Sequence, residues 1–251
     1  MLNVVVTGGG TIAPIDDVRH IANVSTGRFS AQITEAFLRR GAYVCHLFPQ
    51  SAVLPFEDRA QFDLVADFDE EVARMGRLRA EFDASDGRYG GWSIVPPTVA
   101  KYAETLRACL TMRPIDIAVL AMAVSDYEPE PVAGKVASDC DEWTLTLRRT
   151  PKVIRHVREW SSRTFLVGFK LLSGVTEGEL IEAAREACIT NDADLTIAND
   201  LQLKNKFLHT VHVVSREGLV ETIGPKASIA ERLVDRIIAS YQARSADRAE
   251  A

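Results

Sequence analysis

The chain lacks the residues that would make it a metal, redox or secreted protein of the common small types. Its four cysteines, Cys45, Cys109, Cys140 and Cys188, lie far apart, form no C-x-x-C pair and have no histidine cluster beside them. That spacing excludes a zinc cage or a redox dithiol and reads as reduced, mostly structural thiols. No apolar stretch approaches membrane-spanning length, the longest lying near 117–124. Met1 leads straight towards a strand, without the basic start, apolar run and small-residue cleavage site of a secretory signal. Basic residues are in deficit, 29 Lys and Arg against 35 Asp and Glu, a net charge of −6. General nucleic-acid or anionic-membrane binding is therefore not expected, since those partners are held by basic surfaces. A cytoplasmic protein is expected.

What is present can build a core, because 47% of the 251 residues are hydrophobic. Runs of Val, Ile, Leu and Phe predict strands at 3–7, 43–48, 115–121, 164–169 and 195–198. Helical patterns alternate with them at 29–40, 98–111, 151–160 and 176–190. Alternation of this kind predicts an α/β fold, a Rossmann-like doubly wound and mostly parallel sheet. Gly41 stands where a glycine closes a helix, and Thr176-x-x-Glu179 has the form of a capping box. Strands at 210–215 and 220–223 around Arg216-Glu217-Gly218 predict an antiparallel hairpin extension. A single domain over 1–244 is expected, with a frayed tail at 245–251. Residues 50–91 read as an acidic insertion carrying one or two helices, and 128–149 as a mobile loop followed by an antiparallel edge strand.

The most informative stretch is Val4-Val5-Val6-Thr7-Gly8-Gly9-Gly10-Thr11. A β-branched strand running into consecutive glycines lets backbone N–H groups approach an anion closely. Gly8-x-Gly10-x-x-Ala13 satisfies a loose dinucleotide pattern. Pro14 displaces the expected helix, however, and Phe48-Pro49-Gln50 stands where a ribose-binding acid belongs, which disfavours an oxidoreductase. No Gly-Lys-[Ser/Thr] follows the glycines, so a Walker loop is excluded. The letters also fit the start of bacterial-type asparaginases, but no Asp-Thr partner occurs later to activate Thr11 as a nucleophile.

Read whole, the chain resembles the phosphopantothenoylcysteine synthetase family. The resemblance is carried by Gly9-Gly10-Thr11 with Pro14-x-Asp16, by Val18-Arg19 and Asn23-x-Ser25-x-Gly27, and by Ala123-Val124-Ser125-Asp126-Tyr127-x-Pro129 with Lys135 beyond it. Val167-Gly168-Phe169-Lys170 and Ala198-Asn199-Asp200 complete a series running from Leu2 to about Ala239. It implies a ligase that joins 4′-phosphopantothenate to cysteine through an acyl-nucleotide. Mg²⁺ would accompany the nucleotide triphosphate, ATP or CTP, and no flavin is expected. Pro151-Lys152 and Phe169-Lys170-Leu171 look like the eukaryotic-type, ATP-using branch, whereas basic residues typical of the CTP branch are missing at 137, 138, 187 and 191. Those losses keep open a diverged, non-catalytic nucleotide-binding protein on the same scaffold.

The resemblance also implies roles. Gly8, Gly9, Gly10 and Thr11 would hold the nucleotide phosphates, Thr11 adding a hydroxyl donor, with Phe169 and Lys170 lining the nucleotide pocket. Asn23 and Ser25 would hold the substrate, Asn23 able to donate and accept at once. Ala123 and Asp126 would bind it at the carboxyl edge of the sheet, Asp126 fixing a hydroxyl or the incoming amine. Lys135 would stabilise charge at the α-phosphate, and Arg19 would reach across a homodimer interface into the neighbouring site. No side chain is expected to ligate a metal of its own. For a lone loop lysine the plain reading is a solvated charge, and for an asparagine before a helix an N-cap.

Overall fold

A computed structural model describes residues 1–85, 87–204, 210–224 and 228–250. The first strand, β1 (Asn3–Thr7), is followed by a small hairpin, β2 (Ile12–Pro14) and β3 (His20–Ala22), and by helix α1 (Arg28–Arg39). Next come β4 (Tyr43–Pro49), α2 (Phe68–Asp83), β5 (Tyr89–Ile94), α3 (Val99–Met112) and β6 (Ile117–Leu120). A second small pair, β7 (Tyr127–Pro129) and β8 (Leu147–Arg149), precedes α4 (Val157–Trp160), β9 (Phe165–Leu172), α5 (Glu177–Thr190) and β10 (Leu195–Asp200). The chain ends with α6 (Leu201–Lys204), β11 (Val211–Val214), β12 (Leu219–Ile223) and α7 (Ile229–Glu250).

The main sheet runs in the order β12-β11-β10-β9-β6-β1-β4-β5. Strands β5, β4, β1, β6, β9 and β10 are parallel, and β11 and β12 add an antiparallel hairpin at one edge. The sheet is doubly wound as expected, because alternate residues of each strand are apolar on both faces. Val4, Val6, Val44 and Val119 meet Ile33 and Phe37 of α1 and Leu233 and Ile237 of α7. Val5, Cys45 and Leu47 meet Tyr102, Leu106 and Cys109 of α3 on the other face. Continuous apolar strands of this sort need both faces covered, as here.

Local signals in the sequence are realised. Gly41 follows the end of α1 with φ 77°, a left-handed conformation open to glycine without strain. Thr176 accepts from the Glu179 N–H while the Glu179 carboxylate accepts from the Thr176 N–H, a complete capping box.

Three expectations are corrected. The segment 50–91 does contain a helix, α2, N-capped by Asp67, but its glycine-rich end forms the edge strand β5 of the main sheet. Gly91 lies opposite His46, and a Cβ there would sit 3.1 Å from the Tyr89 hydroxyl oxygen, so the glycine leaves room for that ring. The antiparallel strand expected at the end of 128–149 is present but short, Leu147–Arg149, and pairs with β7 in a separate ribbon and not with the main sheet. The tail expected to fray from 245 continues α7 to Glu250. Among the described residues no helix is long and apolar enough to cross a membrane.

Candidate active site

The carboxyl ends of β1 and β6 diverge into two loops that are tied to each other. Gly10 forms an isolated parallel bridge with Ala123, the Thr11 N–H donates to Ala123 O at 3.0 Å, and the Ala123 N–H donates to Gly9 O at 2.9 Å. Among the described residues the N–H groups of Gly9 and Gly10 have no protein acceptor. Gly27, left-handed at φ 73°, starts α1 directly against this loop; a Cβ on Gly27 would lie 3.3 Å from the Gly9 nitrogen. Free loop N–H groups beside a helix N-terminus with no acidic residue in its first turn form a cradle whose donors suit an anion.

The reason for the glycines differs from the expected one. Their missing Cβ atoms would not block a ligand but would strike protein. On Gly8 the clash is with Ser30 Oγ at 1.7 Å, on Gly9 with the Pro49 ring at 2.6 Å, and on Gly10 with Asn23 O at 2.2 Å. The glycines let α1 and the 23–25 segment close on the strand end, and the free N–H groups follow from that packing. Thr11 is corrected as well. It is fully buried, its hydroxyl donating to Ser125 Oγ at 3.2 Å and accepting from the Ser125 N–H at 2.9 Å, so it joins the two loops instead of facing a phosphate.

The second loop gathers the substrate candidates. Asn23 donates through Nδ2 to Val124 O at 3.0 Å, which sets its exposed side chain beside the 123–126 turn. The Ser25 backbone nitrogen lies on the Gly10 side of the same segment. Asp126 is exposed and forms an ion pair with Lys152, a residue the sequence reading assigned no role. Buried Thr150 positions that lysine: its N–H donates to Asp126 O at 3.0 Å and its hydroxyl to Ser125 O at 2.5 Å. The signal available in the sequence was the Thr150-Pro151-Lys152 triplet just after a strand-like run.

Arg19 and Lys135 are brought together by Asp16. The Asp16 carboxylate accepts from the N–H groups of Val18, Arg19 and Val136 and from Arg19 Nη1, and these bonds hold its pKa below the usual carboxylate value despite burial. Arg19 also donates to Val136 O at 3.2 Å and Ser138 Oγ at 3.0 Å and lies over the Trp143 ring, centroid distance 5.1 Å. Within the single chain, then, Arg19 fastens the loop that carries Lys135. Gly134 completes the fastening through two bonds to Asp17. Lys135 itself is exposed and, among the described residues, has no partner.

Phe169 and Lys170 lie on β9, both half-buried. Phe169 meets Phe29 of α1 edge to face, 6.2 Å between centroids, and so borders the cradle's helix. No hydrogen bond among the described residues joins either residue to the glycine loop. Asp200 is structural: it accepts from the N–H groups of Gly174, Val175, Gln202 and Leu203, fixing the loop after β9 and the start of α6.

Fold and site together define an α/β protein with an anion cradle and a cluster of amide, carboxylate and ammonium groups at the carboxyl edge of its sheet, where open sheets of this class bind ligands. The chain belongs to the DNA/pantothenate metabolism flavoprotein C-terminal domain family, whose model matches residues 1–63 and 96–241. The unmatched interval takes in α2 and β5. It is 31% identical over 235 residues to the coenzyme A biosynthesis bifunctional protein CoaBC of Thermococcus kodakarensis, covering 93% of this chain and 50% of that protein. It is 28% identical to the human phosphopantothenate–cysteine ligase, covering 98% of this chain and 88% of that one. The chain thus spans about half the length of the first curated relatives it matches. A solved structure titled as the DNA/pantothenate metabolism flavoprotein from Streptococcus pneumoniae superposes with a TM-score of 0.76 at 29% identity, over 95% of this chain and 99% of that one.

Proposed function

We propose that this chain is a ligase that joins 4′-phosphopantothenate to cysteine through an acyl-nucleotide, with ATP as the favoured nucleotide over CTP. The observation that supports it most is the bond from Asn23 to Val124 O, which sets an amide able to donate and accept between the anion cradle and Asp126. Support also comes from relatives named as phosphopantothenate–cysteine ligases, the human one matched over most of its length.

Forming an amide in water requires an activated carboxylate. In this reading the substrate carboxylate attacks the nucleotide α-phosphorus, its bond to pyrophosphate breaks, and the acyl-nucleotide is then attacked by the cysteine amine, expelling the nucleoside monophosphate. The Gly9 and Gly10 N–H groups and the N-terminus of α1 hold phosphate oxygens. Asn23 orients the acyl group through both steps, and Asp126 holds a substrate hydroxyl or the amine. Lys135 closes on the α-phosphate and the departing pyrophosphate, where negative charge builds up. Phe169 and Lys170 border the nucleotide. Mg²⁺ would accompany the triphosphate, neutralising part of its charge, and needs few protein ligands of its own. The same reading makes the enzyme a cytoplasmic homodimer acting on soluble metabolites.

The test measures pyrophosphate release and ligated product separately. Asn23→Ala should still bind nucleotide, yet product should fall by about 100-fold. Normal product turnover by the purified variant removes Asn23 from the mechanism. A bound nucleotide without turnover of any kind in the wild type favours the non-catalytic alternative.

A further inference from the structure

The Lys152 ion pair is held more firmly than a surface contact needs to be. The turn that bears Asp126 is fixed from two directions, by Thr11 through Ser125 and by Thr150 through the carbonyls of both Ser125 and Asp126. The Thr150 anchor sets Lys152, two residues on, against the Asp126 carboxylate. Both side chains are about half exposed, 52% for Lys152 and 59% for Asp126, and an ion pair so open to water adds little stability. The neighbouring cations have other partners: Arg149 lies over the Tyr127 ring, and Arg19 is bound to Asp16.

Two of the three substrates of the proposed reaction, the nucleotide triphosphate and 4′-phosphopantothenate, are polyanions, and Asp126 is an anion placed where the latter must dock. Left alone, that carboxylate repels the molecule it is to hold; with an ammonium on one oxygen, the other oxygen can accept a hydrogen bond while the local charge is neutral. We propose that Lys152 is a positioning residue of this site, neutralising and orienting Asp126 so that the anionic pantothenate substrate can approach it. The proposal rests on the ligase reading above and adds to it a residue that acts through Asp126 and not on the reacting atoms.

A double-mutant cycle on the full chain tests it, with K152M, D126N, the double variant and K152R compared for pyrophosphate release at varied 4′-phosphopantothenate. The expected result is a KM raised about tenfold by K152M with kcat within about twofold, and recovery in K152R. In the D126N background the same lysine change should alter KM by less than about twofold. Calorimetric binding of 4′-phosphopantothenate to the same four proteins gives the coupling if D126N turns over too slowly. An equal tenfold loss in both backgrounds shows that Lys152 meets substrate directly and overturns the proposal, as does an unchanged KM in K152M. A wild type that releases no pyrophosphate with either nucleotide overturns the ligase reading and this proposal with it, whereas an active wild type with additive variants overturns this proposal alone.

Discussion

The two edges of the parallel sheet handle charge in opposite ways. At the amino-terminal edge, the carboxylates of Asp116, Asp192 and Asp194 are matched to fixed donors. Asp116 accepts from the Asn3 N–H and the Tyr241 hydroxyl, and Asp194 from the Leu166 N–H, Arg158 and Arg244. Arg216 and Arg158 share Asp192. Arginine guanidinium forks here also cap loop carbonyls, as Arg158 does for Thr164 and Asp192. At the carboxyl edge the anchoring is done by Asp16, Thr11, Thr150 and backbone groups, and Asp126, Lys135 and Lys152 stay exposed, Lys135 with no partner among the described residues. One edge holds the structure together, and the other leaves its charge for a ligand.

The sharpest way to break that contrast is to remove a charge from each edge. Lys135→Ala should lower pyrophosphate release by about 1000-fold, equivalent to about 4 kcal/mol of transition-state stabilisation, with no change in Tm. A variant with full release contradicts the role given to Lys135. Asp194→Ala should do the reverse, destabilising the fold by about 3 kcal/mol in denaturant melts because two arginines and an N–H lose their acceptor. Its kcat per folded molecule should match the wild type, and a selective loss of kcat would blur the distinction between the edges.

Between the edges lies His46, fully buried under α1 with neither ring nitrogen hydrogen-bonded, and burial pushes its pKa down to about 4 from 6.5. The unfolded chain takes up a proton on this residue below 6.5, the folded one only near 4. Stability conferred by the neutral ring is therefore complete above pH 6.5 and is lost as the pH falls towards 4, by up to about 3 kcal/mol. His46→Phe should flatten that part of the stability profile; an identical acid slope in the variant assigns the effect to other groups. The smallest effect expected is at the start of α5, where the capping residue touches none of the site residues. Thr176→Ala removes one half of the capping box and should cost about 1 kcal/mol with activity intact.

Much of this architecture was legible because it rests on short-range rules. Five parallel strands follow apolar runs, and the Thr176 cap and the Gly41 terminus follow from neighbours within a few residues. Strand β5 was hidden because Tyr89-Gly90-Gly91-Trp92 has the letters of a turn. Its glycines answer to β4 side chains far earlier in sequence, Tyr43 at Gly90 and Phe48 at Gly91. In the site, Asn23, Asp126 and the glycine loop were visible as a series of motifs and come together at one edge. Thr11 was misread because a hydroxyl after glycines looks alike whether it meets a phosphate or a buried serine 114 residues away. Lys152 was passed over for the same reason, since only the Thr150 anchors show which carboxylate it faces.

The most direct test of the account is pyrophosphate release by the purified chain given 4′-phosphopantothenate and ATP or CTP, first without cysteine and then with it. The account predicts release that requires 4′-phosphopantothenate, is faster with ATP than with CTP, and yields ligated product only when cysteine is added. No release with either nucleotide contradicts it.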